Sequence, residues 1–207
     1  EGMWIPMLLQ NNEQEMQEMG MNITAEDIYS INHSSMKDAV VLFDGGCTGE
    51  IVSNQGLLLT NHHCGFDWIQ YHSTVEHDYL THGFWAMSKE EELPCPGISA
   101  VMLKSMEDVT ERVLEGVTKE TSNDERAEIV TENIKKIKEE AEANSDYQVV
   151  IKSFYHGNKY YMIYNEVFKD VRMVGAPPSN IGKFGGDTDN WVWPRHTGDF
   201  SVFRIYV

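Results

Sequence analysis

A short apolar hairpin that ends in His-His-Cys constrains the fold of this chain more than any other segment. Residues 47–52 and 55–60 are predicted strands on either side of a turn at Asn54 and Gly56. His62, His63 and Cys64 follow the second strand almost directly. Three explanations of that placement stay open: a metal site, a reactive histidine held by a disulfide, or ordinary packing.

The rest of the chain reads as mainly β with helices inserted. Continuous apolar residues at 57–59 predict a strand buried on both faces. Capping boxes begin predicted helices at Thr24 and Ser122. Further strands are predicted at 38–43, 147–155, 159–168, 171–174 and 200–207, and an α-helical hairpin at about 105–145, with helices at 105–115 and 122–144.

Composition and charge exclude several classes of function. The 207 residues are 41% hydrophobic and carry a net charge of −17, so the chain is globular and binds nucleic acid or anionic membranes poorly. No run of 18 apolar residues exists to span a membrane. No cofactor is expected, and the start at Glu1 is interpreted as a processed or trimmed end.

The three cysteines cannot all pair within one chain. Cys47 and Cys64 flank the hairpin turn, and its two strands would bring them together, so we predict a disulfide and an oxidising compartment. Cys95 is expected to be a lone thiol on a loop.

Zinc is one candidate ligand, because five histidines lie close together in the sequence. Their spacing matches no established zinc motif. The histidines are His62, His63, His72, His77 and His82.

Nucleophilic hydrolysis is the other candidate chemistry. A histidine pinned by a neighbouring disulfide has the rigidity that a general base needs, and it also needs a carboxylate on its second nitrogen. Asp199, at the mouth of the last strand, is the preferred carboxylate over Asp187 and Asp189. The serines lie outside nucleophile motifs, so the nucleophile is expected to be missing from this chain.

Two motifs carry a family resemblance, "TNHHCG" and "GGDTDNWVWPRHTGDFSVFRIY", together with the start "EGMWIPMLL". They resemble the bacterial dipeptidyl-peptidases 7 and 11, serine exopeptidases that remove dipeptides from free amino ends. The resemblance covers the whole chain but only an amino-terminal part of those proteins, with the serine further along. It implies part of a trypsin-like β-barrel peptidase domain over residues 1–207, with the helical cap, second barrel and nucleophile elsewhere.

The resemblance also implies residue roles. His63 matches the catalytic base and Asp199 the orienting carboxylate, with Cys47 and Cys64 as the bridge beside the histidine. Asn190 and Trp191 match residues that grip the amino terminus of the substrate, and Arg195 lies in the same motif. His62 is expected to pack in the interior or to support the site residues, and not to take part in the chemistry.

The leading hypothesis is therefore a serine-type dipeptidyl peptidase fragment, inactive alone, acting on oligopeptides with free amino ends. The resemblance implies a periplasmic or cell-surface enzyme and a homodimer. The alternatives are a histidine-rich zinc-binding module and a non-catalytic β-rich adaptor.

Overall fold

The computed structural model describes residues 4–182 and 198–207, and the chain divides into two compact units. The first comprises Glu1–Asp38 and Met102–Val167, and the second Ala39–Val101 and Phe168–Val207. Within the described ranges, no helix has the length and apolar character needed to cross a bilayer.

The first unit packs a long helix against a small antiparallel sheet. Its helices are α1 (Glu13–Glu18), α2 (Ala25–Ile28), α5 (Thr110–Val113) and α6 (Asn123–Ala143). Its strands are β6 (Ala100–Asp108), β7 (Gln148–Phe154) and β8 (Lys159–Phe168). Of β6 the part from Met102 belongs to this unit, and of β8 the part up to Val167. They lie in the order β6-β8-β7, and β7 pairs with β8 from Gln148 opposite Asn165 to Phe154 opposite Lys159.

Alternation along β8 builds two small cores. Tyr160 and Met162 pack with Ile137 of α6, whereas Tyr161 contacts Ile5 and Met106. Successive strand residues face opposite sides, so one strand supplies both clusters. The capping boxes at Thr24 and Ser122 are confirmed, as is the hairpin at 147–168.

The predicted helix over 105–115 is wrong at its start. Residues up to Asp108 belong to β6, and only the single turn of α5 is helical. The residues of the cap-like sequence Ser105–Asp108 are therefore part of a strand and not of a helix. The backbone N–H of Met106, in this stretch, donates to the Tyr29 hydroxyl at 2.9 Å. The Asp108 side chain accepts a hydrogen bond from the backbone N–H of Thr110, the first residue of α5, at 2.9 Å.

The second unit is an antiparallel sheet with short helices. Its strands are β1 (Val40–Phe43), β2 (Cys47–Ile51), β3 (Leu57–Thr60), β4 (Phe84–Trp85), β5 (Leu93–Pro94), β9 (Asp170–Ala176) and β10 (Ser201–Tyr206). Its helices are α3 (His62–His72), α4 (Tyr79–His82) and α7 (Ser179–Gly182). The strand order is β4-β9-β10-β3-β2-β1, with β5 also pairing with β9.

The predicted hairpin at residues 47–60 forms, with Gly56 at a φ of +72° in its turn. A Cβ on Gly56 would lie 2.3 Å from the carbonyl oxygen of Ile205, so this turn requires glycine. The prediction that residues 57–59 are buried on both faces is wrong, because Leu58 is buried while Leu59 is 36% exposed. The mainly β fold class is confirmed.

Candidate active site

The site forms where β3 ends and β10 begins. Antiparallel pairing sets Ser201 opposite Thr60, so the residues before Ser201 lie beside those after Thr60. Asn61 is the N-cap of helix α3, whose first residues are His62 and His63. Strand register therefore brings Asp199 to the N-terminus of α3, although the two are more than 130 residues apart in sequence.

Asp199 contacts both the side chain and the main chain of His63. Its Oδ2 lies 2.8 Å from His63 Nδ1, and its Oδ1 accepts from the backbone N–H of His63 at 3.1 Å. An ionised carboxylate only accepts hydrogen bonds, so Nδ1 carries the imidazole proton and Nε2 is left to take one up. That is the arrangement a general base requires.

The same carboxylate caps helix α3. The first backbone N–H groups of a helix have no partner within the helix, and a negative charge there is favourable. Asp199 supplies the partner in place of the Asn61 side chain, which makes no capping bond. Instead, Asn61 Nδ2 donates to the backbone oxygen and to Oδ2 of Asp199, at 3.2 and 3.3 Å.

Ser201 completes this support. Its Oγ donates to the carbonyl oxygen of Asn61 at 2.8 Å and so ties β10 to the loop before α3. Neither Asn61 nor Ser201 was singled out from the sequence. The one available signal was the residue type of Asn61, since Asn is common at helix N-caps.

The predicted disulfide joins Cys47 of β2 to Cys64 of α3, with the Cα atoms 6.1 Å apart. It fixes the residue that follows His63 to the neighbouring hairpin. The His63 side chain is 64% exposed and that of Asp199 is 30% exposed. Asp199 therefore orients the imidazole through Nδ1, while most of the His63 side chain stays exposed to solvent.

The histidines of the zinc alternative do not converge in the part of the chain that the structure describes. Among the described residues, Cys47, His63 and Cys64 are the one group of three or more with ligand-type atoms in mutual reach, and its two sulfur atoms are bonded to each other. His72 Nε2 lies 2.9 Å from the carbonyl oxygen of Pro94, and His77 stacks on Tyr79.

The remaining predicted site residues, Asn190, Trp191 and Arg195, lie outside the described residues, as do the rival carboxylates Asp187 and Asp189. Among the described serines, none has a hydroxyl hydrogen-bonded to the His63 ring. The described part of the site is therefore a histidine in contact with a carboxylate.

Comparisons with known proteins identify peptidases as the relatives of this chain. The sequence profile described as peptidase S46 matches residues 1–207. An Asp/Glu-specific dipeptidyl-peptidase of Flavobacterium psychrophilum is 58% identical over 207 residues, which are 100% of this chain and 29% of that protein. A dipeptidyl-peptidase 7 of Capnocytophaga gingivalis is 49% identical over 208 residues, again 100% of this chain and 29% of that protein.

A solved structure also matches. The crystal structure of Porphyromonas endodontalis DPP11 in complex with the dipeptide Arg-Glu has a TM-score of 0.85 and 50% identity, covering 100% of this chain and 31% of that one. This likeness is consistent with the predicted trypsin-like β fold. The chain spans less than a third of the length of each of these relatives.

Proposed function

Because this chain belongs to the peptidase S46 family, we propose that it supplies the base and the carboxylate of a serine-type dipeptidyl peptidase. His63 is the general base, and Asp199 orients it and stabilises its charged form. The observation that carries the proposal is the double contact of Asp199 with His63, at 2.8 Å to the ring and 3.1 Å to the backbone.

The proposed chemistry is acyl transfer. A serine from the remainder of the protein attacks the scissile carbonyl carbon, and His63 Nε2 takes the hydroxyl proton. The same proton then passes to the leaving amine as the peptide bond breaks. Between these two proton transfers His63 is an imidazolium, and the facing Asp199 carboxylate lowers the free energy of this charged form.

Substrates are oligopeptides with a free amino end, and we assign Asn190, Trp191 and Arg195 to the site that holds that end. An amide oxygen and an aromatic face both attract an ammonium group. Crystal structures of Porphyromonas endodontalis DPP11 are in complex with the dipeptides Arg-Glu and Arg-Asp, which supports a peptide ligand. Relatives named Asp/Glu-specific and relatives named dipeptidyl-peptidase 7 both match, so the proposal is dipeptide release in general.

The proposal includes a periplasmic or cell-surface location and a homodimer for the whole enzyme. The Cys47–Cys64 disulfide supports the location, because such bonds persist in oxidising compartments. Cell fractionation tests the location, and light scattering of the full-length protein tests the dimer.

The experiment compares the full-length protein with residues 1–207 on dipeptidyl coumarylamides, with the amino end free or acetylated. We expect the full-length protein to cleave the substrates with a free amino end and not the acetylated ones. Residues 1–207 alone should cleave neither kind of substrate. In the full-length protein, His63→Ala should lower kcat by about 10⁴-fold or more. The control is His33→Ala, which removes an exposed histidine.

Turnover by residues 1–207 would contradict the absence of the nucleophile. A kcat for His63→Ala within about tenfold of the parent would contradict the role of the base.

A further inference from the structure

The disulfide beside His63 contains two groups that can bind a metal ion once they are thiols. One ligand-type atom from each of Cys47, His63 and Cys64 lies within 4.8 Å of the other two, and all three residues belong to the second unit. Thiolate sulfur and imidazole nitrogen are common ligands of zinc in proteins. While the sulfur atoms are bonded to each other, the imidazole is the one usable ligand of this group. The oxidation state of the two cysteines therefore decides whether the ligand set is complete.

The spacing of the three groups fits one tetrahedral ion. Zinc bonds to sulfur at about 2.3 Å and to imidazole nitrogen at about 2.0 Å, so its ligand atoms lie about 3.6 to 3.8 Å from one another. The separations in the structure are at most 4.8 Å. Side-chain rotation in two separate cysteines can close a difference of about 1 Å. Three protein ligands leave the fourth position of the ion to water.

The backbones that carry the two cysteines are also held by contacts other than the bridge. Cys47 lies in β2, which pairs with both β1 and β3. A Cβ on Gly65, the residue after Cys64, would lie 2.7 Å from Ser201 Oγ, so α3 packs closely on β10. Opening the disulfide leaves these contacts in place. The two sulfur atoms therefore stay close to the His63 ring.

Asp199 supports His63 in the way that metal-binding histidines are usually supported. A histidine that binds zinc through one ring nitrogen commonly donates the N–H of the other to a carboxylate, which fixes the ring. His63 Nδ1 lies 2.8 Å from Asp199 Oδ2, which leaves Nε2 for the metal. The His63 side chain is 64% exposed, so an ion has access to it from solvent. The net charge of −17 also attracts cations to the protein.

We propose that Cys47 and Cys64, when both are thiols, bind a thiophilic divalent cation such as zinc together with His63 Nε2. We call this state the dithiol form. The ion displaces one proton from each thiol as the two metal–sulfur bonds form. The disulfide form lacks the site. The two forms interconvert by exchange with a dithiol reductant, which gives two electrons and two protons to the bridge and itself becomes a disulfide.

Metal binding at Nε2 has a consequence for the proposed chemistry. The ion occupies the lone pair with which His63 would take the proton of a serine, so the zinc-bound dithiol form is inactive as a peptidase. Formation of the Cys47–Cys64 bridge removes two of the three ligands and leaves Nε2 unoccupied. This consequence rests on the proposed function, whereas the metal site itself does not.

The test uses the full-length protein, made in a reducing cytoplasm and purified without oxygen so that the thiols are never oxidised. One portion is kept reduced with a phosphine, and another is oxidised with glutathione disulfide. Both are incubated with zinc, gel-filtered and analysed for metal. We expect the reduced sample to retain about one zinc ion per chain more than the oxidised sample. With cadmium in place of zinc, the reduced sample should show a stronger ultraviolet thiolate-to-metal absorption than the oxidised sample.

Variants of the reduced protein assign the ligands. Replacing Cys47 and Cys64 together by Ser, or His63 alone by Ala, should lower the affinity for zinc by about 100-fold or more, because each change removes direct ligands. Asp199→Asn should lower it by about 10- to 100-fold, because the carboxylate supports the ligating ring. His33→Ala is the control, because it removes an exposed histidine outside the group. His63→Ala keeps both cysteines, so the assignment does not depend on the folding of the Ser double variant.

Two results would overturn the inference: equal zinc content in the reduced and oxidised samples, or a reduced His63→Ala protein that binds zinc as tightly as the parent. Activity gives the second readout. A chelator should raise the dipeptidyl peptidase activity of the zinc-loaded reduced protein by about tenfold or more and leave the oxidised protein unchanged. Zinc held by these three residues without any loss of activity would instead contradict the role of His63 as the base. Failure of the proposed function is thus distinguishable from failure of the metal site.

Discussion

Replacing Asp199 by Asn in the full-length protein tests how the carboxylate holds the base. The carboxylate accepts three side-chain or backbone hydrogen bonds from two residues: the His63 ring, the His63 backbone N–H and the Asn61 amide. An Asn at this position offers one oxygen and one NH₂ group in place of two oxygens. Both orientations of the new amide set an N–H against another N–H.

The two orientations fail differently. With the amide nitrogen at the Oδ2 position, it faces His63 Nδ1 and the Asn61 amide, which favours the imidazole tautomer with its proton on Nε2. That tautomer does not accept the proton of a serine. With the nitrogen at the Oδ1 position, the helix α3 backbone loses its acceptor. In both cases the negative charge that faces the imidazolium is gone.

If the proposed function holds, we expect kcat to fall by about 10⁴-fold, as when the corresponding carboxylate of a Ser-His-Asp triad is changed, which corresponds to about 5 kcal/mol of transition-state stabilisation. KM should change little, because Asp199 contacts the base and is not assigned to the substrate. The lost helix cap should lower the free energy of unfolding by about 1 kcal/mol, so the variant remains folded for the assay.

The measurement is steady-state kinetics on a dipeptidyl coumarylamide, with urea unfolding of the same samples. Asp67→Asn is the matched control, since it removes an exposed carboxylate from the same helix. A fall in kcat of less than about tenfold in Asp199→Asn, or an equal fall in Asp67→Asn, would refute the reasoning.

Three other predictions concern the scaffold. Changing Cys47 and Cys64 together to Ser should lower the free energy of unfolding by about 3 kcal/mol, because the bridge joins residues 17 positions apart in sequence; urea unfolding measures it, and an unchanged midpoint would contradict it. Cys95 is buried, and burial raises the pKa of its thiol to about 12, so it should resist iodoacetamide until the protein is unfolded, as mass spectrometry can show. Ser122→Ala should lower stability by about 1 kcal/mol through loss of the α6 capping box, with exposed Ser34→Ala as the control.

Elements with local signals were predictable from the sequence. The hairpins at 47–60 and 147–168 carry turn residues and apolar runs, and both form. The capping boxes at Thr24 and Ser122 are complete within four residues of sequence, so they needed no tertiary information.

Helix α3 was not predictable in the same way. Its first residues include two histidines and Gly65, a composition with no clear helical period. Gly65 is required by packing, because a Cβ there would lie 2.7 Å from Ser201 Oγ. The helix is capped by Asp199, which is 136 residues away in sequence, so no local sequence pattern marks where the helix begins.

The close approach of Asp199 to His63 follows from strand pairing rather than from any contact with a nucleophile. The β3–β10 register sets the distance, the Asn61 and Ser201 hydrogen bonds fix the loop between them, and the disulfide holds Cys64. All these residues belong to one compact unit. The imidazole is therefore oriented, with its proton on Nδ1, before any serine contacts Nε2. In the proposed reaction, the remainder of the protein would have only to bring a hydroxyl within hydrogen-bond distance of the His63 ring, whose side chain is 64% exposed.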